Sequence, residues 1–559
     1  MKLLVANRGE IACRIIRTAH EMGIRTVAVY SDVDRGALHA EQADEAVAIG
    51  GAAPAESYLC GDRILEAAVR TGAGMIHPGY GFLAEYPSFA RACGNAGLVF
   101  VGPPPAAIAA MADKLRARNL MEDAGLPILP GGTDPMRVGF PLVVKAAGGG
   151  DGKGIRIVED PSGLDAAAAD ARREAAAAFG DHRVFFEQYL CHARHVEVQV
   201  FGDTHGQVRH LGERECSVQR RHQKIIEEAP SPAVDSELRA ALGAAAVTAA
   251  KAIGYVNAGT VEFLLDPSGA FYFLEMNTRL QVEHPVTELA WRLRGAEAGI
   301  GLDLVRLQLL VALGEPLWFA QDDLALGGHA VEARIYAEDP GCGFLPSTGR
   351  LAVWEPAADV RVDSGVQAGD DITAHYDGLL AKMIAAGPTR VEAVVRLARA
   401  LRSSRIHGVT TNRGLLVGTL ESPRFLAGDL STSFLTERVT AVETADADVD
   451  ALHLAAAALS AAHERASARP ARFDLAEVVC EPGQEGRWTV RIGDRAHDAR
   501  VHAWPEERPD GAIDLEFDGR RTRVVIEVSG SCVGVDSLLG HLTLGVKLGV
   551  MPHAPDAVP

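Results

Sequence analysis

Between residues 259 and 285 the chain leaves itself few folding choices. Residues 259–265 and 270–275 are dense in β-branched and aromatic side chains, and Asp266-Pro267-Ser268-Gly269 between them has the composition of a tight turn. That pattern predicts an antiparallel hairpin. Continued through Glu275-Met276-Asn277-Thr278-Arg279-Leu280-Gln281-Val282-Glu283-His284-Pro285, a strand puts Glu275, Asn277, Arg279, Gln281 and Glu283 on one face. Met276, Thr278, Leu280 and Val282 take the other. If Leu265 pairs with Ala270, Glu262 lies opposite Phe273 and diagonal to Glu275, about 7–8 Å away. Two carboxylates so placed repel unless cations lie between them. With an Asn oxygen they are hard ligands suited to Mg²⁺ on a nucleotide phosphate, whereas the blander reading is a solvated sheet face.

The chain of 559 residues is long enough for several domains, and its net charge of −19 argues against a nucleic-acid surface. Its eight cysteines show no C-x-x-C spacing, which suggests neither a zinc site nor a disulfide framework and fits a reducing, cytoplasmic setting. Lys2-Leu3-Leu4-Val5 reads as a first strand rather than a signal peptide, and no apolar run has the length to span a bilayer, so no membrane is expected as partner.

Short apolar runs alternate with helical patterns through the first hundred residues, the signature of βαβ units and a parallel sheet. Asn7-Arg8-Gly9-Glu10 is not a dinucleotide fingerprint. His77-Pro78-Gly79-Tyr80-Gly81-Phe82 is a turn-rich loop at a strand end, where open α/β sheets commonly line sites. Further on, a strand ending at Lys145 precedes Gly148-Gly149-Gly150-Asp151-Gly152-Lys153-Gly154. Glycines at that density let backbone N–H groups approach an anion, so the segment is expected to be a phosphate-covering lid, although it is not a Walker loop. Cys216-Ser217-Val218-Gln219-Arg220-Arg221-His222-Gln223-Lys224 concentrates cations in an acidic protein, which favours a small anionic ligand over a merely solvated face.

Taken together, Lys145 with its Gly-rich loop, Glu187-Gln188-Tyr189-Leu190, the 216–224 segment and the 275–285 segment resemble the biotin carboxylase family of ATP-grasp enzymes. Ala6-Asn7-Arg8-Gly9-Glu10-Ile11-Ala12, the His77 loop, Arg334-Ile335-Tyr336-Ala337-Glu338-Asp339-Pro340 and Tyr376-Asp377 agree, in the expected order, over roughly residues 1–440. The resemblance implies an α/β and α+β multidomain fold: a parallel α/β domain over 1–113, an ATP-grasp domain over 114–328 with its lid at about 130–200, and a carboxylase C-terminal domain over 329–442. It implies ATP-dependent carboxylation of biotin by bicarbonate. Lys114 and Lys145 would hold phosphate, with Gly149, Gly150 and Gly152 in the lid. Glu187 and Leu190 would face adenine, and His195, Gln219 and His222 the ribose. Glu262, Glu275 and Asn277 match metal positions for Mg²⁺ or Mn²⁺. Lys224, Arg279, Gln281 and Val282 match a bicarbonate pocket, Glu283 a general base, and Arg334 a cation facing the biotin ureido oxygen.

Chemistry asks for these residue types independently. Bicarbonate becomes a useful nucleophile only on losing its proton, which calls for a carboxylate base. Arg279 can grip a planar anion with two parallel hydrogen bonds, and carboxyphosphate needs shelter from water. Biotin is a weak acid at its ureido nitrogen, so its anion calls for a cation such as Arg334; on the family's mechanism, phosphate released from carboxyphosphate takes the proton. Three departures stand out. Asp151 occupies a lid position usually held by glycine, where it would repel phosphate. Residues 290–300 are an insertion, harmless as a surface loop but damaging if it displaces Glu283. Beyond residue 443 an alanine-rich helix pattern over 447–466 and alternating runs predict a helix and antiparallel β-barrel over 443–559. That region resembles the bridging domain of acyl-CoA carboxylase α chains. Lys547 lacks a Met-Lys-Met setting, so biotin is expected on a separate carrier chain.

The expectation is therefore a biotin carboxylase subunit of an acyl-CoA carboxylase, a homo-oligomer using ATP and Mg²⁺, partnered by a biotin carrier protein or domain and a carboxyltransferase β subunit. The alternatives are another ATP-grasp ligase making an acyl phosphate, such as a carbamoyl-phosphate synthetase half, or a catalytically weakened scaffold.

Overall fold

A computed structural model describes residues 1–148, 155–221, 223–294 and 301–438, and beyond them 453, 455–456, 471–472, 477–482, 487–492, 495–504, 512–529, 532–537 and 540–545. The lid glycines Gly149, Gly150 and Gly152, together with Asp151, His222, Lys547 and most of the 447–466 helix pattern, lie outside the described residues.

The N-terminal unit is a parallel sheet in the order Glu45–Gly50, Arg25–Ser31, Lys2–Val5, Met75–His77, Val99–Phe100. Its strands are apolar on both faces because helices cover both sides. Two turn motifs singled out by sequence meet where those strands end. The Asn7 amide donates to the carbonyls of Pro78 and Tyr80, at 2.7 Å each. Gly79 sits at φ +64° and a Cβ there would come within 2.9 Å of that amide, so the meeting requires glycine.

A four-stranded antiparallel sheet built from Gly131–Gly132, Val184–Gln188, Leu142–Ala146 and Arg156–Val158 carries the helix Leu164–Phe179 on an apolar face. The body of the molecule is an eight-stranded antiparallel sheet: Phe271–Asn277, Asn257–Leu265, Arg194–Gly202, Val208–Arg220, Gln223–Ala229, His329–Tyr336, Leu379–Gly387, Arg361–Ser364. It runs across residues 328 and 329 without a break, so strands from either side of that expected boundary share one ladder. Tyr376 ties this body to the N-terminal unit, donating to Ser31 Oγ at 2.7 Å with the Arg8 guanidinium 4.4 Å over its ring.

Two expectations about the hairpin need correction. Leu265 pairs with Phe271 rather than Ala270, because Asp266 lengthens the turn: its backbone N–H donates to the Ala270 carbonyl at 2.8 Å, and its side chain accepts from Ser268 and Ala270. A bulge then shifts the register between Glu262 and Phe263, so Glu262 stands directly opposite Glu275 rather than diagonal to it. Nor does the strand continue to Glu283. It stops at Asn277, since Glu85 captures the Thr278 N–H at 3.0 Å and the Arg279 Nε at 2.8 Å, and Pro285 then sits in the first turn of the helix His284–Ala290.

The insertion is partly built into the fold. Trp291–Leu293 pairs with Leu324–Leu326, and the buried Trp291 indole fills the space beside Gly212. A Cβ on Gly212 would meet Trp291 Cε2 at 2.1 Å, at φ +82°. Gly212→Ala is therefore expected to cost about 1–3 kcal/mol. A heat-unfolding midpoint equal to that of the unmodified chain would contradict this packing.

Beyond residue 470 the described strands form an eight-stranded antiparallel meander in chain order, from Ala471–Arg472 to Gly540–Gly545. It is pinned to the preceding part of the chain through Asp536, which lies 2.6 Å from His407 Nε2 and 3.6 Å from Arg413.

Candidate active site

Register lines up charge across the large sheet. Glu275, Glu262 and Glu197 are cross-strand neighbours on three adjacent strands, with Arg214 next in the same row. Directly opposed carboxylates at about 4.5–5.5 Å destabilise a sheet unless cations intervene. Here Lys224 Nζ reaches Glu197 at 2.5 Å, Glu262 at 2.9 Å and Glu283 at 2.7 Å. Lys114 Nζ holds Glu275 at 2.7 Å. Arg214, wholly buried, donates to Glu197, Gln199, Thr260, Gln281 and Thr287, at 2.5 to 3.1 Å.

This balance sets the protonation states. Burial opposes the charge on Lys224, yet the carboxylates of Glu197, Glu262 and Glu283 outweigh it and hold the ammonium well above its ordinary pKa. Burial likewise pushes Glu262 and Glu283 upward. The stronger influence of Lys224, with His195 at Glu262 and with Arg334 and Arg214 at Glu283, holds both well below the usual carboxylate range. Lys114 does the same for Glu275 against burial. These depressed carboxyls contribute stability that is complete above the ordinary glutamate pKa of about 4.3 and is lost as pH falls through their lower folded values.

Around this row, Asn277 and Gln281 each donate to Glu262 Oε1, at 2.8 and 2.7 Å. His195 Nε2 lies 2.8 Å from Glu262 Oε2, and Gln219 contacts the other ring nitrogen at 2.8 Å. Arg279 bonds Glu85 and donates to Asn277 Oδ1 at 3.1 Å. Glu283 lies between Lys224 and Arg334, with Arg334 Nη2 at 3.0 Å. On the smaller sheet Lys145 bonds Glu187, which Arg118 also holds at 3.1 Å.

Glu262 and Glu275 on paired positions offer hard carboxylate oxygens of the kind Mg²⁺ takes, while the Asn277 amide turns its nitrogen to Glu262 and its oxygen to Arg279. Among the described residues, the side chains whose ligand atoms converge within 4.8 Å are His195–Glu197–Glu262 and Glu197–Cys216–Glu283. In the second trio, burial pushes the Cys216 thiol well above its usual pKa, so it is no thiolate ligand.

Comparison with known proteins settles the kinship. A model described as "Biotin carboxylase, N-terminal domain" matches residues 1–108, one described as "Carbamoyl-phosphate synthase L chain, ATP binding domain" matches 113–319, and "Biotin carboxylase C-terminal domain" matches 332–437. A Nostoc biotin carboxylase is 48% identical over 449 residues, which cover 78% of this chain and 98% of that protein. This chain belongs to the biotin carboxylase family. It is accordingly an enzyme, an ATP-grasp ligase. A biotin carboxylase from Campylobacter jejuni, solved as a β,γ-ATP complex, superposes with a TM-score of 0.74 at 40% identity over 78% of this chain and 98% of that one. The Hydrogenobacter thermophilus 2-oxoglutarate carboxylase domain, solved with MgADP, ADP and bicarbonate, gives 0.76 at 43% identity over 80% of this chain and 99% of that one. The mitochondrial methylcrotonoyl-CoA carboxylase α subunit of Arabidopsis thaliana is 50% identical over 78% of this chain, and this chain spans only 60% of that relative's length.

The structure brings His195, Gln219, Lys224, Glu262, Asn277, Arg279, Gln281, Glu283 and Arg334 into one connected polar network, with Glu275, paired to Lys114, beside it on the neighbouring strand. Val282 lies outside it: its backbone carbonyl accepts at 2.8 Å from Lys382, whose ion-pair partners are Glu10 and Asp363. Lys145 and Glu187 belong to the smaller sheet, and Leu190 follows its Val184–Gln188 strand. Sequence reasoning missed Arg214, Glu197, Glu227 and Glu332, all buried on the large sheet. The alternation of residues 195–200 places Glu197 on the side of His195, and that phase was the available signal.

Proposed function

We propose that this chain is the biotin carboxylase subunit of an acyl-CoA carboxylase, taking ATP and bicarbonate as substrates and acting on biotin borne by a separate carrier, with a carboxyltransferase β subunit as the consumer of carboxybiotin. The observation that carries the reading is Glu283 lying between Lys224 and Arg334 beside the Glu262–Glu275 pair. The acyl-CoA assignment draws on relatives named methylcrotonoyl-CoA and propionyl-CoA carboxylase α chains, and on the sheet that this chain carries beyond residue 470.

In this proposal Lys114 and Lys145 exchange their carboxylate partners for the nucleotide phosphates, with Glu187 and Leu190 on the adenine side and Gln219 toward the ribose. Mg²⁺, held by Glu262, Glu275 and Asn277, would offset charge on the β- and γ-phosphates. Lys224, Arg279 and Gln281 grip bicarbonate. As the anion takes over hydrogen bonds from Lys224, Glu283 loses the contacts that depress its pKa and becomes a stronger base. Glu283 removes the bicarbonate proton, a carbonate oxygen forms a bond to the γ-phosphorus, and the bond from that phosphorus to ADP breaks, leaving carboxyphosphate. Carboxyphosphate yields CO₂ and phosphate. Phosphate accepts the ureido N–H proton of biotin, Arg334 stabilises the oxygen of the resulting anion, and its nitrogen attacks CO₂.

The test is ADP release in the presence of bicarbonate, with and without free biotin, alongside recovery of acid-labile N-carboxybiotin from labelled bicarbonate. Biotin-stimulated release with labelled product is expected. Stimulation by ammonium but not by biotin would move the chain to carbamoyl-phosphate chemistry. The metal assignment has its own check: Glu262→Gln is expected to raise the Mg²⁺ concentration for half-maximal turnover by about 10–100-fold. An unchanged titration would remove Glu262 from the metal site.

A further inference from the structure

Behind Arg334 lies a second acidic pair that the reaction just outlined leaves unused. We propose that Glu227 and Glu332 share one proton there, and that Glu227 positions the Arg334 guanidinium for the biotin-side anion. This rests on the carboxylase reading above as far as biotin is concerned; the shared proton does not.

Glu227 and Glu332 are direct partners on the neighbouring antiparallel strands Gln223–Ala229 and His329–Tyr336, and both are 0% exposed. Glu332 and Arg334, two residues apart on one strand, face the same side. Glu227 Oε1 lies 2.6 Å from Arg334 Nε, while Arg334 Nη2 contacts Glu283. The guanidinium thus lies between two carboxylates from different segments, hydrogen-bonded to Glu283 through Nη2 and ion-paired with Glu227 at Nε, which sets the direction of its remaining edge.

Neither oxygen of Glu332 and neither oxygen of Glu227 accepts a hydrogen bond from any described residue, Glu227 Oε1 meeting Arg334 as an ion pair alone. An ionised carboxylate stripped of both water and donors is untenable, and two facing each other across a ladder are worse. One proton held by the pair relieves both problems. The charged groups facing it are Lys224 from the strand of Glu227 itself, Glu197 from two strands away, Glu283 from the loop and Lys382 from the strand on the other side, and His284 begins the helix packed over both strands. Burial and the cations around His284 hold its imidazole neutral, so it adds no charge. Burial pushes Glu227 up to about 7 and Glu332 well above its ordinary range, with Arg334 and Lys382 the main opposing influences. The proton also matters for function. A charge on Glu332 would set three carboxylates about one guanidinium and cancel its attraction for an anion.

The first measurement is the infrared difference spectrum between the unmodified chain and Glu332→Gln at neutral pH. Loss of a carboxylic-acid C=O band is expected; loss of carboxylate bands alone overturns the shared proton. The second is steady-state kinetics of Glu227→Gln with free biotin and ATP varied separately. An increase of about 100-fold in KM for biotin, with KM for ATP unmoved, is expected from a misdirected guanidinium. Glu227→Asp, which keeps the charge, should recover part of it. A silent Glu227→Gln, or equal movement of both KM values, overturns the positioning role. If the infrared band disappears while the unmodified chain shows no response to biotin, the carboxylate pair stands and the carboxylase reading fails.

Discussion

Glu283→Gln is expected to lower bicarbonate- and biotin-dependent ATP turnover by about 10²–10⁴-fold, the usual contribution of a general base. Nucleotide affinity should be retained. The side chain is buried between Lys224 at 2.7 Å and Arg334 at 3.0 Å, so glutamine of nearly equal size keeps the packing and part of the hydrogen bonding while removing the proton acceptor. The proposed nucleotide side, with Lys114 on Glu275 and Lys145 on Glu187, is held by other contacts and should be left intact. Calorimetric titration with MgATP beside a coupled ADP assay separates the two effects. Turnover within threefold of the unmodified enzyme would remove Glu283 from the base position; equal loss of binding and turnover would point to a collapsed site.

Lys224→Met should be the most destabilising single change in the site, and its effect should depend on pH with a defined sign. One ammonium serves Glu197, Glu262 and Glu283, and none of these carboxylates has water to fall back on. Removing one partner of a buried ion pair costs about 3–5 kcal/mol because the other is left uncompensated. In the unmodified chain the depressed carboxyls Glu262 and Glu283 favour folding above the glutamate range and lose that contribution as acid protonates them. Without Lys224, burial dominates and raises their pKa values. The folded state then binds more protons than the unfolded one, so stability improves as pH falls. The gap in unfolding midpoint between variant and parent should therefore be wide at pH 8 and narrow toward pH 5. A gap independent of pH would mean that these carboxylates do not depend on Lys224.

Much of this was legible in advance because alternation and turn composition are local properties. Glu275 and Asn277 could be placed on one face from the strand period alone, with Glu262 added by an assumed pairing, and the cation-rich 216–224 segment stood out against an acidic chain. Lys2–Val5 and its neighbours announced a parallel sheet by their apolar runs. The hairpin register was not legible in the same way. The Asp266 turn takes one more residue than its composition suggests, and the bulge beyond Phe263 adds another. A composition rule sees neither, yet together they bring Glu262 directly opposite Glu275.

Nor did the amino-acid order alone disclose Arg214, Glu227 or Glu332. Each is a single charge inside an ordinary strand, and only pairing shows that Arg214 neutralises Glu197 or that Glu332 faces Glu227. Strand identity, face and the types of chemistry present were determined by the sequence, since they follow from side-chain period and residue type within a few positions. Which carboxylate meets which cation was decided by the tertiary structure. Lys224 collects Glu197, Glu262 and Glu283 from three separate segments, and in a low-dielectric interior a difference of a few ångströms decides whether a charge is paired or stranded.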